Sequence, residues 1–193
     1  MSLDQAYWEQ RYEAGATGWD TGGPTRPLTT YFNQLKNKNV SIIIPGAGNA
    51  YEAEYLFNNG FRNVVVLDFA KQPLDHIQSR IPTFPSDQLI QDDFFDHQGN
   101  YDLIIEQTFF CAIDPTLRKE YVQKCKELLN PGGKLVGLLW STPMNENQPP
   151  FGGSIEEYRE LFRDDFQLDV LEASYNSIKP RAGREAFIKL IRR

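Results

Sequence analysis

The sequence predicts an α/β protein: a doubly wound, mostly parallel sheet whose last two strands form an antiparallel hairpin. Three observations predict it. A β-branched run, Val40-Ser41-Ile42-Ile43-Ile44, stops at the turn Pro45-Gly46-Ala47-Gly48 and reads as a buried strand that delivers its backbone to a ligand. The next apolar run, Asn63 to Leu67, ends in Asp68, twenty positions after Gly48, the distance at which a βαβ unit brings an acid to a ribose. Beyond it, apolar runs alternate with helix-patterned stretches until two consecutive extended runs close the chain.

The totals bound the function. A chain of 193 residues is long enough for one well-buried domain and short for two, so a single domain over 1–193 is expected, with 1–37 as a cap within it. With 40% apolar and 24% charged residues the composition is that of a soluble globular protein, and no run approaches the roughly 18 apolar residues a membrane span needs. The N-terminus lacks a basic segment followed by an apolar one, so no secretory signal is read and a cytoplasmic location is expected. Two cysteines, Cys111 and Cys125, and two isolated histidines, His76 and His97, form no metal-ligand spacing and no disulfide framework, and no metal is expected. A net charge of −6 argues against a nucleic-acid backbone as partner. The partner expected is a small molecule, with the chain a monomer or weak oligomer.

The elements follow in order. Residues 5–14 carry helix formers with aromatics at Trp8 and Tyr12, one turn apart, and break at Gly15. The turn-rich segment 18–24 holds Trp19, a large aromatic in a loop, which implies that it covers something. A helix is predicted over 27–35, then the first strand. Tyr51 to Phe57 reads as a helix stopped by Asn59-Gly60, and 63–68 as the second strand. A helix over 70–80 is expected to be regular only after Pro73, and Pro82 and Pro85 enforce a loop before a third strand at 88–91. The fourth strand spans 101–106. Leu117, Tyr121, Cys125 and Leu128 recur at helical spacing over 114–129, with Asp114-Pro115 as cap and first helical position. Asn130-Pro131-Gly132-Gly133 turns into a fifth strand over 134–140. After a Pro- and Gly-rich loop come a helix at 154–162 and extended runs at 167–173 and 186–191.

The glycine turn and its acid point to a nucleoside cofactor. A dinucleotide site wants a third glycine under the pyrophosphate, where this chain has Tyr51. A P-loop is excluded because no Gly-Lys-Ser/Thr follows. S-adenosylmethionine remains: it brings an adenosine without a phosphate and needs the bend and the acid alone.

An ordered set of motifs carries a family resemblance. They are Trp8-x10-Trp19-Asp20-x2-Gly23-x3-Pro27-Leu28, Ile44-Pro45-Gly46-Ala47-Gly48, Val66-Leu67-Asp68, Asp92-Asp93-Phe94-Phe95, the stretch Tyr101 to Ile113 and Leu129-Asn130-Pro131-Gly132-Gly133. The chain resembles class I S-adenosylmethionine-dependent methyltransferases and is similar, within them, to the thiopurine S-methyltransferase family, in particular its halide/thiol methyltransferase branch. The resemblance implies a Rossmann-like, seven-stranded class I methyltransferase sheet with an N-terminal helical cap. It implies that Gly46 and Gly48 approach the methionine part and sugar of the cofactor, and that Asp68 accepts the ribose hydroxyls. Asp92 or Asp93, with Phe94, would sit at the adenine. Trp8 and Trp19 would close over the sulfonium, a cation–π contact worth about 0.5–2 kcal/mol. Gln107 would line the reaction centre, and Gln107 and Tyr12 are the acceptor-pocket candidates. Two departures stand out: Ala47 replaces a cysteine common between the glycines, and Asn49-Ala50 follow the second glycine. Thiopurine-active relatives carry an arginine where this chain has Gln107.

Methyl transfer from a sulfonium to sulfur or halide is an in-line displacement in which opposite charges vanish together, so alignment and desolvation do the work and a dedicated base is not required. No catalytic residue is assigned. Bland readings stand beside these: Asp68 as the cap of the following helix, a role that can coexist with ribose binding; Asp92 and Asp93 as turn acids; Cys111 as packing; Lys179, Arg181 and Arg184 as a solvated loop. Two other functions stay open, an O- or N-methyltransferase of another small metabolite and a non-catalytic S-adenosylmethionine-binding module. A nicotinamide-dependent oxidoreductase is disfavoured by Tyr51.

Overall fold

A computed structural model of the chain describes residues 3–193. It divides into two compact units, one ending at His97 and one running Gln98–Arg193.

The first unit begins with α1, Gln5–Glu13, capped by Asp4, whose carboxylate accepts the Tyr7 N–H. Helix α2, Arg26–Phe32, has Pro27 in its first turn and ends three residues before the predicted limit. Gln34 and Leu35 there donate to carbonyls three residues back, as in a tightening turn. Strand β1, Ile42–Pro45, helix α3, Tyr51–Asn58, and strand β2, Val64–Asp68, form the expected βαβ unit, with β1 and β2 parallel and Ile42 opposite Val64. All four residues of β1 are buried, which explains why the run reads as continuous rather than alternating.

Helix α4, Lys71–Arg80, corrects one expectation: it is regular from its start. Pro73 is its third residue, where the backbone N–H has no intrahelical partner to lose, so the ring is tolerated. A 3₁₀ turn at Ser86–Gln88 leads into β3, Leu89–Gln91, parallel to β2.

In the second unit β4, Tyr101–Gln107, runs parallel to β5, Leu129–Trp140. The predicted single helix over 114–129 is a 3₁₀ turn, Pro115–Leu117, followed by α5, Arg118–Leu128. Asp114 caps the 3₁₀ turn by accepting from Thr116. The predicted turn at 130–133 lies inside β5 as an insertion. Pairing jumps from Tyr101 opposite Leu129 to Leu103 opposite Lys134, so four residues bulge against Asp102 alone. Helix α6, Ile155–Phe162, starts with a capping box between Ser154 and Glu157. Strands β6, Phe166–Ala173, and β7, Glu185–Arg192, pair antiparallel, and β7 also pairs antiparallel with β5.

The strand order is β3-β2-β1-β4-β5-β7-β6, the seven-stranded, mostly parallel sheet with an antiparallel C-terminal pair that the resemblance implies. Each buried Ile, Leu or Phe stabilises by about 1.5–3 kcal/mol, and these residues come from the strand runs, from the apolar helix stripes and from connecting segments, as with Phe61, Phe84, Phe94 and Phe110. Among the described residues no helix is long and apolar enough to cross a membrane.

Candidate functional site

The turn after β1 is built from left-handed backbone. Gly46 and Gly48 have φ of +56° and +53°, a region open to glycine at little cost. Ala50, which caps α3, is also left-handed at +54° despite its side chain. Strain of this kind collects at ligand clamps.

Asp68 ends β2 beside that turn. Its Oδ2 accepts the Gly48 N–H at 3.3 Å and its Oδ1 accepts the Ala70 N–H at 2.9 Å, so the predicted cap-like role and the predicted position next to the glycine turn coexist. The residue is 7% exposed, and burial pushes its carboxyl up to about 6 against the two backbone donors that favour the charged form. Each carboxylate oxygen offers two acceptor sites. One per oxygen is filled by backbone, leaving one on each open.

The N-terminal aromatics gather over the glycines. A Cβ added at Gly48 would lie 3.5 Å from the Trp19 indole nitrogen and 3.6 Å from the Tyr12 hydroxyl. Trp19 packs edge-on to Trp8, with ring centroids 5.7 Å apart, and to Tyr12 at 5.5 Å. The Arg11 guanidinium lies 5.8 Å from the Trp19 ring centre. Burial and the Asp68 charge both raise the Tyr12 phenol, while a hydrogen bond with Trp19 works the other way. Trp8, Tyr12, Trp19, Gly48 and Asp68 are thus brought together within the first unit.

The acids after β3 separate into two roles. Asp92 takes up the end of the β2–β3 pairing, its N–H donating to the Asp68 carbonyl, and its side chain is 44% exposed with one oxygen 3.7 Å from His97 Nδ1. Asp93 is spent on the turn: its carboxylate accepts the Phe95 N–H at 2.8 Å and its carbonyl receives Asp96 and His97. Phe94 is buried and its ring packs edge-on against Phe95.

The second unit carries Gln107 at the end of β4, half-buried, followed by Thr108 with φ of +63°. The strained turn is held by Glu106, a residue the sequence reading passed over. Glu106 Oε1 accepts the Phe109 and Phe110 N–H groups at 2.8 and 2.9 Å, and Oε2 accepts the Tyr121 hydroxyl at 2.7 Å. Full burial pushes its carboxyl up to about 7 against those three donors. Its only available sequence signal was indirect: Gly137 stands opposite it on β5, and a Cβ there would come 2.2 Å from the Glu106 carbonyl oxygen.

Cys111 is packing, as the bland reading had it. Burial pushes its thiol up to about 12, and it donates to the Thr108 carbonyl at 3.3 Å. Arg181, by contrast, is not part of a solvated loop: it is 6% exposed and paired at 3.2 Å with buried Glu185, while Lys179 and Arg184 are exposed. Among the described residues no three His, Cys, Asp or Glu side chains gather to hold a metal ion.

The family model of thiopurine S-methyltransferase matches residues 3–190. The chain belongs to the thiopurine S-methyltransferase family. It is accordingly an S-adenosylmethionine-dependent methyltransferase. It is 31% identical over 184 residues to the probable thiol methyltransferase 2 of Arabidopsis thaliana, covering 92% of this chain and 81% of that protein. It is 27% identical over 191 residues to thiocyanate methyltransferase 1 of Brassica oleracea, covering 95% and 84%. Among solved structures it is similar to the Burkholderia thailandensis 1,6-didemethyltoxoflavin-N1-methyltransferase with bound 1,6-didemethyltoxoflavin and S-adenosylhomocysteine. There the TM-score is 0.77 at 16% identity, over 98% of this chain and 86% of that one, which speaks to the fold.

Proposed function

We propose that this methyltransferase acts on a small, soft nucleophile, a thiol or thiolate, or a halide-type anion such as thiocyanate. The observation that carries the cofactor side is Asp68: a buried carboxylate that shares its turn with Gly48 and keeps one acceptor site per oxygen for the two hydroxyls of a ribose. The acceptor class rests on the relatives, named as thiol and thiocyanate methyltransferases.

The residues divide the work. Gly46 and Gly48 present bare backbone to the methionine part and the sugar. Asp92, the exposed acid of its pair, accepts the adenine amine, while Asp93 and Phe94 shape and anchor the loop that carries it. Trp8 and Trp19 shield the cationic centre. Tyr12 faces the same turn and Gln107 keeps its acceptor-pocket role on the resemblance alone. When bound, S-adenosylmethionine supplies an electrophilic methyl group on a sulfonium, open to in-line displacement.

What the chain contributes is alignment and exclusion of water rather than proton transfer. Glu106, whose raised carboxyl would otherwise suit a general base, is fully buried behind three donors. Cys111, with its thiol raised and hydrogen-bonded, is no nucleophile. A nucleophile that is already anionic needs neither.

The test is to incubate the protein with the methyl donor and thiocyanate, iodide, hydrosulfide or thiophenol, and to assay volatile methylated products, with phenol and aniline alongside. Turnover is expected on at least one of the first four and on neither control. Turnover confined to the controls would make it an O- or N-methyltransferase, and S-adenosylhomocysteine binding without any turnover would make it a binding module.

A further inference from the structure

Two successive residues of the aromatic loop clasp two successive residues of the glycine turn. Trp19 lies against Gly48, and Asp20 takes a hydrogen bond from the side chain of Asn49 at 2.6 Å. Asn49 is one of the departures from the family pattern, and its side chain is used at both ends. A carboxylate can only accept, so the Asn49 amide nitrogen faces Asp20 and its oxygen faces His76 Nδ1, 3.0 Å away, which must carry the hydrogen. The Asn49 carbonyl in turn receives the guanidinium of Arg80, which also pairs with Glu54 at 2.8 Å and lies over the Tyr51 ring.

Asp20 is equally committed. Its second oxygen accepts the Gly22 N–H at 2.8 Å, closing the loop that presents Trp19, and the Tyr51 hydroxyl also bonds to it. The loop is therefore tied through one side chain to α4, by polar contacts that water can compete for, since Asp20 and His76 are exposed. Such contacts contribute little to folding. They bear directly on whether Trp19 stays over the turn.

We propose that Asn49 is the positioning residue of a latch, Asp20–Asn49–His76, that holds Trp19 over the glycine turn and so sets how slowly an adenosine-containing ligand leaves. The proposal rests on the reading that Gly46, Gly48 and Asp68 hold that ligand. Asn49 touches no reacting atom in it; it acts through Asp20 and Trp19.

The experiment is stopped-flow tryptophan fluorescence on the full chain, following S-adenosylhomocysteine dissociation in wild type and in the variants Asn49→Ala, His76→Ala and His76→Gln. Release from Asn49→Ala should be roughly three- to tenfold faster, which corresponds to about 0.6–1.4 kcal/mol. His76→Ala should give a smaller rise, about two- to threefold, and His76→Gln, which keeps a donor, should return most of the wild-type rate. Thermal midpoints should stay close to wild type, which separates latching from general destabilisation. If Asn49→Ala fails to fold, the two His76 variants, on an exposed helix position, decide alone. Unchanged release in the variants while wild type binds the ligand would overturn the latch and leave the site intact. No binding by wild type would overturn the reading of the site, and the latch with it.

Discussion

Asp68 and Glu106 are two buried carboxylates in corresponding places, one closing β2 and one next to the end of β4, each facing the backbone N–H groups of the turn that follows. They differ in what is left over. Asp68 spends one acceptor site per oxygen on backbone and stands beside a left-handed glycine and a tyrosine hydroxyl. Glu106 receives two N–H groups on one oxygen and the Tyr121 hydroxyl on the other, and no solvent reaches it. The difference is that Asp68 keeps an open acceptor on each oxygen, as the ligand role proposed for it requires, whereas Glu106, sealed from solvent with three donors on it, fastens backbone.

The sharpest way to break that contrast is to remove each carboxylate in turn. Glu106→Ala takes the shared acceptor away from the Phe109 and Phe110 N–H groups and from the Tyr121 hydroxyl, and with about 1–3 kcal/mol for each buried hydrogen bond lost, a loss of at least about 2 kcal/mol is expected in urea unfolding. A loss below about 1 kcal/mol would mean that Glu106 is not the fastener of the 107–110 turn. Its charge has its own signature. The folded carboxyl titrates near 7, above the unfolded range, so the native state holds the proton more tightly. Stability from this group is thus present at low pH and lost as pH rises from about 4.5 through 7. Glu106→Gln has no such group, and the stability of wild type relative to it should fall over that interval.

Asp68→Ala should act on the ligand instead. Losing charge-assisted hydrogen bonds worth about 1.5–3 kcal/mol should weaken S-adenosylhomocysteine binding roughly ten- to hundredfold by calorimetry. Because burial lifts the Asp68 carboxyl to about 6 and, in the proposed role, ribose hydroxyls would donate to its charged form, wild-type affinity should decline as pH drops from 7.5 to 5. In Asp68→Asn that slope should vanish. An affinity in Asp68→Ala equal to wild type would remove the ribose role.

The contrast also marks how far the sequence could be read. Asp68 was legible because its distance from Gly48 is fixed by one βαβ unit, a local geometry that spacing encodes. The strands were legible because each is a buried apolar run. Glu106 was not, since an acid inside Ile104-Ile105-Glu106-Gln107 carries no mark of which donors meet it. Those come from a turn and from Tyr121 on α5, and only register shows that Gly137 makes room for it. Pro73 misled because a proline's cost depends on its place in the first turn, and the boundary was drawn three residues late. Asn49 was seen as a departure, but its partners Asp20 and His76 lie 29 and 27 positions away, a pairing of polar side chains that no periodicity announces. Arg181 was misread for a different reason: its partner Glu185 is only four positions on, but the two are buried together only once β7 is in place.

The finest test sits inside the filled shell. Tyr121 reaches Glu106 from α5 by one hydrogen bond, while its ring packs against Phe110 with centroids 5.1 Å apart. Tyr121→Phe keeps the ring and deletes the donor, leaving Glu106 with its two backbone bonds. The expected cost is about 1–2 kcal/mol in stability, less than for Glu106→Ala, with S-adenosylhomocysteine affinity unchanged. The deletion also removes one of the groups that favour the charged carboxylate, so the Glu106 titration should move to higher pH, and the loss of stability, which still sets in near 4.5, should run on to higher pH than in wild type. A ligand affinity that fell with Tyr121→Phe would show that the second carboxylate bears on binding after all, and the division between fastener and ligand group would not hold.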